Sequence, residues 1–146
     1  GVPVCLMHMQ GEPRTMQDNP QYDDVVTDVA AFLRQRAEAC IRAGVPANRI
    51  VLDPGFGFGK TLAHNLRLLE SLDRFVELGV PVLAGISRKS MIGKLLGLDI
   101  AGRLPASIAL AVLAVERGAR LVRAHDVAAT WQAVQMQAAV QRVQQR

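Results

Sequence analysis

The chain has 146 residues, of which 50% are hydrophobic, 21% charged and 4% aromatic. That apolar content excludes long disorder, and no apolar run approaches the roughly 20 residues of a membrane span. The formal charge is +4, from 17 Lys and Arg against 13 acids. The basic residues form no run and have no interleaved aromatics, which argues against a nucleic-acid surface and for a small anionic ligand. Cys5 and Cys40 have neither a CxxC nor a Cys/His spacing. They are expected to be buried, reduced thiols of a cytoplasmic protein.

The first apolar run, residues 2–9, is strand-like. Val25, Val29, Phe32, Leu33, Ala37, Cys40 and Ile41 then recur at helical spacing, with Gly44 as the stop. Val45-Pro46 leads into a second strand at 50–52. Leu62, Leu66, Leu69, Leu72 and Val76 predict one helix, stopped by Gly79. Val80-Pro81 opens a third strand at 80–86. A helix from about Pro105 to Arg117 ends at Gly118, and a fourth strand follows at 121–122. Asp126 is a predicted N-cap for a last helix carrying Val127, Trp131, Val134 and Ala138. The strand runs are short, non-alternating and rich in Val, Leu and Ile, as in parallel strands covered on both faces.

The order βαβαβαβα predicts a parallel α/β fold. Either a doubly wound open sheet or half of a (β/α)8 barrel fits it. Four units give about 36 residues each, and a whole barrel takes about 250 residues or more. The chain also opens on Gly1 and enters a strand at once. The expectation is the back half of something longer.

In such folds ligands meet the carboxyl ends of the strands. Those ends read Met7-His8-Met9-Gln10-Gly11, Asp53-Pro54-Gly55-Phe56-Gly57-Phe58-Gly59-Lys60-Thr61, Gly85-Ile86-Ser87-Arg88-Lys89-Ser90 and Arg123-Ala124-His125-Asp126. The glycine loop is neither a Walker loop, because Pro54 stands where the first Gly belongs, nor a GxGxxG fingerprint. Its glycines let Phe56 and Phe58 stack on a planar ligand or fill a rim. Asp53 follows three apolar residues, so its carboxylate needs a partner. That partner is the guanidine-like edge of a heterocycle or, alternatively, a strand-end Arg. Lys89 suits a carbonyl or ring nitrogen, and one of Arg88 and Lys89 is solvated. Arg123 and His125 lie two apart, face one way in extended backbone and suit phosphate. His64 is expected in solvent, and His8 reads either way.

These four motifs resemble bacterial dihydropteroate synthase along the whole chain. The resemblance implies a (β/α)8 TIM barrel, of which residues 1–146 are the last four βα units with no second domain. It implies a transferase that joins p-aminobenzoate to 6-hydroxymethyl-7,8-dihydropterin pyrophosphate, yielding 7,8-dihydropteroate and pyrophosphate for folate, with sulfonamides as competitors. Asp53 would grip the pterin's aminopyrimidine edge and Lys89 its carbonyl and ring nitrogen. Arg123 would pack on the pterin and, with His125, hold the pyrophosphate. Met7, Gly57, Phe58 and Gly85 would line the pockets, and Ser87 would touch the aminobenzoate carboxylate. Lys89, Arg123 and His125 are the implied catalytic residues, in a dissociative reaction. The resemblance also implies Mg²⁺, whose Asn ligand belongs to the family's first four units, and a cytoplasmic homodimer without nucleic-acid or membrane partners. The chain alone is expected to be inactive. Two further readings are a non-catalytic half-barrel that binds weakly or self-associates, and a pterin-binding methyltransferase domain. The Ser-Arg-Lys-Ser segment favours the synthase.

Overall fold

The computed structural model describes residues 1–144. Strand β1 (Val4–Met7) is followed by helix α1 (Val25–Arg42), strand β2 (Ile50–Asp53) and helices α2 (Leu62–Glu70) and α3 (Asp73–Val76). Strand β3 (Leu83–Ala84), helices α4 (Ser90–Leu96) and α5 (Leu104–Glu116), strand β4 (Leu121–Val122) and helix α6 (Val127–Gln144) complete the order. All pairings are parallel. β1 pairs with β2 from Val4↔Ile50 to Met7↔Asp53, and β3 pairs with β4 through Leu83↔Leu121 and Ala84↔Val122. One bridge, Leu52↔Val82, joins the two ladders.

Local chemistry sets the boundaries. Asp24 caps α1, its Oδ1 accepting the Thr27 N–H at 2.7 Å. Gly44, Gly79 and Gly118 follow helices with φ of 92°, 75° and 94°, as predicted for stops. Three expectations change. The third strand shortens to two residues, because Pro81 cannot donate to a ladder. The single helix expected through Val76 breaks at Ser71, whose ψ of 31° leaves the helical range, and restarts as α3. α4 is an additional helix of seven residues, too short to show a clear period, closed by Gly97 at φ 68°.

Successive strand residues point to opposite faces. Ile50, Leu52, Val82 and Ala84 are buried with Val29 and Leu33 of α1, Leu68 of α2, Phe75 of α3 and Leu72 just before it. Truncating a core ring such as Phe75 to Ala would cost about 3–5 kcal/mol. The alternate residues Cys5, Val51, Leu83 and Leu121 are half-buried or exposed. The strands are therefore covered by helices on one face rather than both. That arrangement is part of a barrel, whose helices form an outer ring, and not a doubly wound sheet. It also corrects the reading of the thiols: Cys5 lies on the uncovered face and is exposed, and Cys40 is half-buried. No single described helix is long and apolar enough to cross a membrane.

His8, just past β1, proves to be a core histidine at 7% exposure, edge-on to Phe32 with ring centroids 5.0 Å apart. Burial, then the nearby Lys60 ammonium, lowers its pKa from 6.5 to about 4. The unfolded chain therefore takes up this proton first. The contribution of neutral His8 is complete above pH 6.5 and is lost as pH falls towards 4. Urea midpoints should drop between pH 7 and pH 5, and His8→Gln should flatten that slope; an unchanged slope would remove His8 as its source.

The uncovered face and the outer edges of β1 and β4 carry unpaired backbone groups and apolar side chains, which template association. The 146-residue chain alone should sediment as oligomers or aggregate. A monodisperse 15.8 kDa species with a cooperative melt would contradict this.

Candidate active site

The carboxyl ends of all four strands share one rim, and Asp53 is its innermost charge. At 1% exposure it is withdrawn from water. Its Oδ1 accepts the Gly55 N–H at 2.8 Å, and its Oδ2 lies 3.4 Å from Arg123 Nη2. Burial raises the carboxyl's pKa, while the Gly55 N–H, Arg123, Lys89 and Lys60 oppose that rise. The strand-end Arg is thus the side-chain partner of Asp53 in this structure. The contact is long, and the Arg123 side chain remains 59% exposed, so the pair can open at little cost.

Arg123 reaches Asp53 across bare backbone. A Cβ at Gly85 would lie 2.5 Å from Nη2 and 3.2 Å from Cζ. A side chain there would expel the guanidinium. Lys89 Nζ sits 4.1 Å from the Phe58 ring centroid, a cation–π contact. Gly57, at φ 79°, makes room for it, since a Cβ would stand 3.2 Å from Lys89 Cδ. Burial, then Arg123, lowers the Lys89 pKa, and Asp53 raises it. Met7 is half-buried beside Asp53 in register. The two Phe residues separate: Phe56 is 1% exposed in the core, and Phe58 remains half-buried at the cleft.

On the far side Ser87 and His125 meet. The Ser87 hydroxyl lies 3.0 Å from His125 Nδ1 and accepts the His125 N–H at 3.2 Å. Arg123 and His125, expected to act together, each engage a different neighbour: Asp53 and Ser87. Arg88 is not solvated but pairs with Asp126 at 2.6 Å. The Asp126 carboxylate therefore serves Arg88 instead of capping α6, whose first turn begins with Thr130 N–H donating to the Asp126 carbonyl. His64 is half-buried in a reciprocal cap with Thr61 and lies edge-on to Tyr22 at 5.0 Å, not free in solvent.

Sequence reasoning missed the group that shapes the glycine loop. Lys60 is 2% exposed, and its ammonium donates to the carbonyls of Gly55 at 3.0 Å and Phe58 at 2.9 Å. It also lies 2.9 Å from His8 Nδ1. Burial pulls its pKa down to about 7. Asn65 holds the same loop, accepting the Gly57 N–H at 2.7 Å and donating to Thr61 O at 2.6 Å. Tyr22 donates to Gly59 O at 2.7 Å. The signal in sequence was a lysine directly after a glycine run, where an unpartnered ammonium would have no reason to be buried.

Among the described residues no group of three His, Cys, Asp or Glu is placed to hold a metal. The two carboxylates of this rim, Asp53 and Asp126, each pair with a different arginine and form no shared donor set. These residues do not fit Mg²⁺.

The geometry can be set beside known proteins. Residues 1–125 match the family described as "Pterin binding enzyme". The dihydropteroate synthase of Haemophilus influenzae is 52% identical over 138 residues, which are 90% of this chain and 50% of that protein. The Escherichia coli K12 enzyme is 48% identical, with 93% of this chain and 48% of that protein covered. The Stenotrophomonas maltophilia dihydropteroate synthase structure, with imidazole in its active site, aligns at TM-score 0.93 and 55% identity. It covers 97% of this chain and 54% of its own. The Yersinia pestis enzyme in a sulfonamide drug complex aligns at TM-score 0.94 and 47% identity, over 97% of this chain and 52% of its own. The chain therefore spans about half the length of the relatives it matches. A buried strand-end carboxylate, a lysine over an aromatic ring and an arginine laid on a glycine coincide with these matches: the chain belongs to the pterin-binding enzyme family, where it resembles the dihydropteroate synthases.

Proposed function

We propose that the chain is the C-terminal half, units five to eight, of a dihydropteroate synthase, and that its rim binds pterin and pyrophosphate. The observation that carries this is Asp53, an almost fully buried carboxylate whose one ion pair among the described residues is long and exposed. A planar heterocycle with two parallel N–H donors would answer that charge in full. Relatives support the ligand classes: Xanthomonas albilineans dihydropteroate synthase is described with 4-aminobenzoic acid and with 7,8-dihydropteroate.

In this reading Asp53 accepts from the pterin amine and ring N–H, and Lys89 donates to its carbonyl and ring nitrogen. Met7, Gly57 and Phe58 line the pocket. Arg123 leaves Asp53, lies flat on Gly85 against the pterin and, with His125, neutralises the leaving pyrophosphate. Ser87 donates to the aminobenzoate carboxylate. The bond from the pterin methylene carbon to oxygen breaks first, and its electron pair leaves with pyrophosphate. The aminobenzoate nitrogen then attacks that carbon and loses a proton. No side chain forms a covalent bond, so the protein contributes orientation and charge stabilisation. Mg²⁺ would need donors from beyond these residues, and the chain alone would not turn over substrate.

The same proposal includes a homodimer, sulfonamide competition and a cytoplasmic setting. Trp131, Met136, Val140 and Val143 of α6 are each more than half exposed, which supports pairing through that helix. The free cysteines suit a reducing compartment. For the isolated chain, the uncovered sheet face favours self-association.

Asp53→Ala in the full-length protein should weaken pterin affinity by at least tenfold, since a hydrogen-bonded buried charge contributes roughly 1.5–3 kcal/mol. Calorimetry with an unchanged affinity would overturn the assignment. His125→Ala should weaken pyrophosphate binding while a pterin lacking phosphates binds almost as before. Equal losses for the two ligands would move His125 away from the phosphate.

A further inference from the structure

Ser87 and Lys89 flank a strained residue. Arg88 has φ of 55° and is the only non-glycine residue with positive φ among those described. A residue with a Cβ resists this conformation, and such strain persists only where the surroundings over-determine it. Here they do. The Arg88 N–H donates to Ser107 Oγ at 2.9 Å, and its carbonyl accepts from Arg103 Nη1 at 3.0 Å. The Ser107 hydroxyl donates in turn to Arg103 O at 2.7 Å. The guanidinium makes two parallel bonds to Asp126, Nε to Oδ2 at 2.9 Å and Nη2 to Oδ1 at 2.6 Å. The two side chains are 32% and 22% exposed, so the fork is shielded from most competing water.

Three chain neighbours of the pair stand at the rim. Ser87 precedes Arg88 and touches His125; Lys89 follows it and reaches Phe58; His125 precedes Asp126. The strained step lies in the five-residue connection from β3 to α4, two residues before the helix begins. The fork ties that step to the start of α6. We propose that Arg88 is a positioning residue that touches no ligand: its fork with Asp126 holds the loops after β3 and β4 in one register, so that Lys89 and His125 meet the same ligand. The proposal rests on the reading of this rim as a pterin and pyrophosphate site.

The test uses the full-length protein, histidine-labelled for NMR, with 6-hydroxymethylpterin and pyrophosphate as probes. Without ligand, Arg88→Ala should shift the His125 ring signals. Arg88→Ala and Asp126→Ala should each weaken both probes about tenfold, and the double variant should be no weaker than either, as for two partners of one interaction. Arg88→Gly relieves the strained φ but lacks the fork, so it should be as weak as Arg88→Ala. A melting temperature that falls while both affinities hold would mean a purely structural role and overturn the proposal. So would additive losses in the double variant, unmoved His125 signals, or an Arg88→Gly variant that binds normally. If Arg88→Ala fails to fold, Arg88→Lys, which keeps the charge and loses the fork, supplies the same His125 readout. If the His125 signals move but the unsubstituted protein binds no pterin, the positioning role stands and the pterin reading falls.

Discussion

A carboxylate at the end of a buried parallel strand has few ways to exist. Asp53 faces the helix-free side of the sheet, yet almost no water reaches it. Its charge must be met by the Gly55 N–H, by Arg123 or by something that displaces Arg123. Much of the surrounding chain follows from that need. Gly85 has no side chain so that the guanidinium can arrive, and Gly57 has none so that Lys89 can lie over Phe58. Lys60, itself buried, holds the loop carbonyls and adds positive charge behind the carboxylate.

The site's parts were legible in the sequence because they sit where pattern is interrupted. Asp53 follows Ile-Val-Leu, and Ser87 to Lys89 and Arg123 to His125 follow apolar runs. Strand ends in parallel α/β folds are where such interruptions gather. Helices α1 and α5 were legible from the helical spacing of their apolar residues and from the glycines that stop them. What stayed hidden depended on neighbours distant in sequence. A short helix such as α4 repeats its period less than twice. The exposure of Cys5 depends on which sheet face is covered, a tertiary fact. Asp126 has cap chemistry, and only the approach of Arg88, 38 residues earlier, diverts it.

The buried lysine shows the same limit differently. Residue identity announces a charge but not its surroundings, and Lys60 reads as an ordinary cation until three acceptors are seen around it. His8 and Lys60 then explain one another. The imidazole stays neutral because it is buried and an ammonium is adjacent, and the ammonium tolerates burial because the imidazole and two carbonyls receive it.

Among the described residues, Leu52↔Val82 is the one strand bridge between the β1–β2 ladder and the β3–β4 ladder. The sheet thus has a seam down its middle, with a quarter-barrel on each side. Met7, Asp53 and Phe58 stand on one bank; Ser87, Lys89, Arg123 and His125 stand on the other. Any flat molecule gripped between them works as a rivet through that seam. The energy it gains from each bank also resists their parting, so occupancy of the cleft and the mechanical integrity of the sheet are coupled in this architecture.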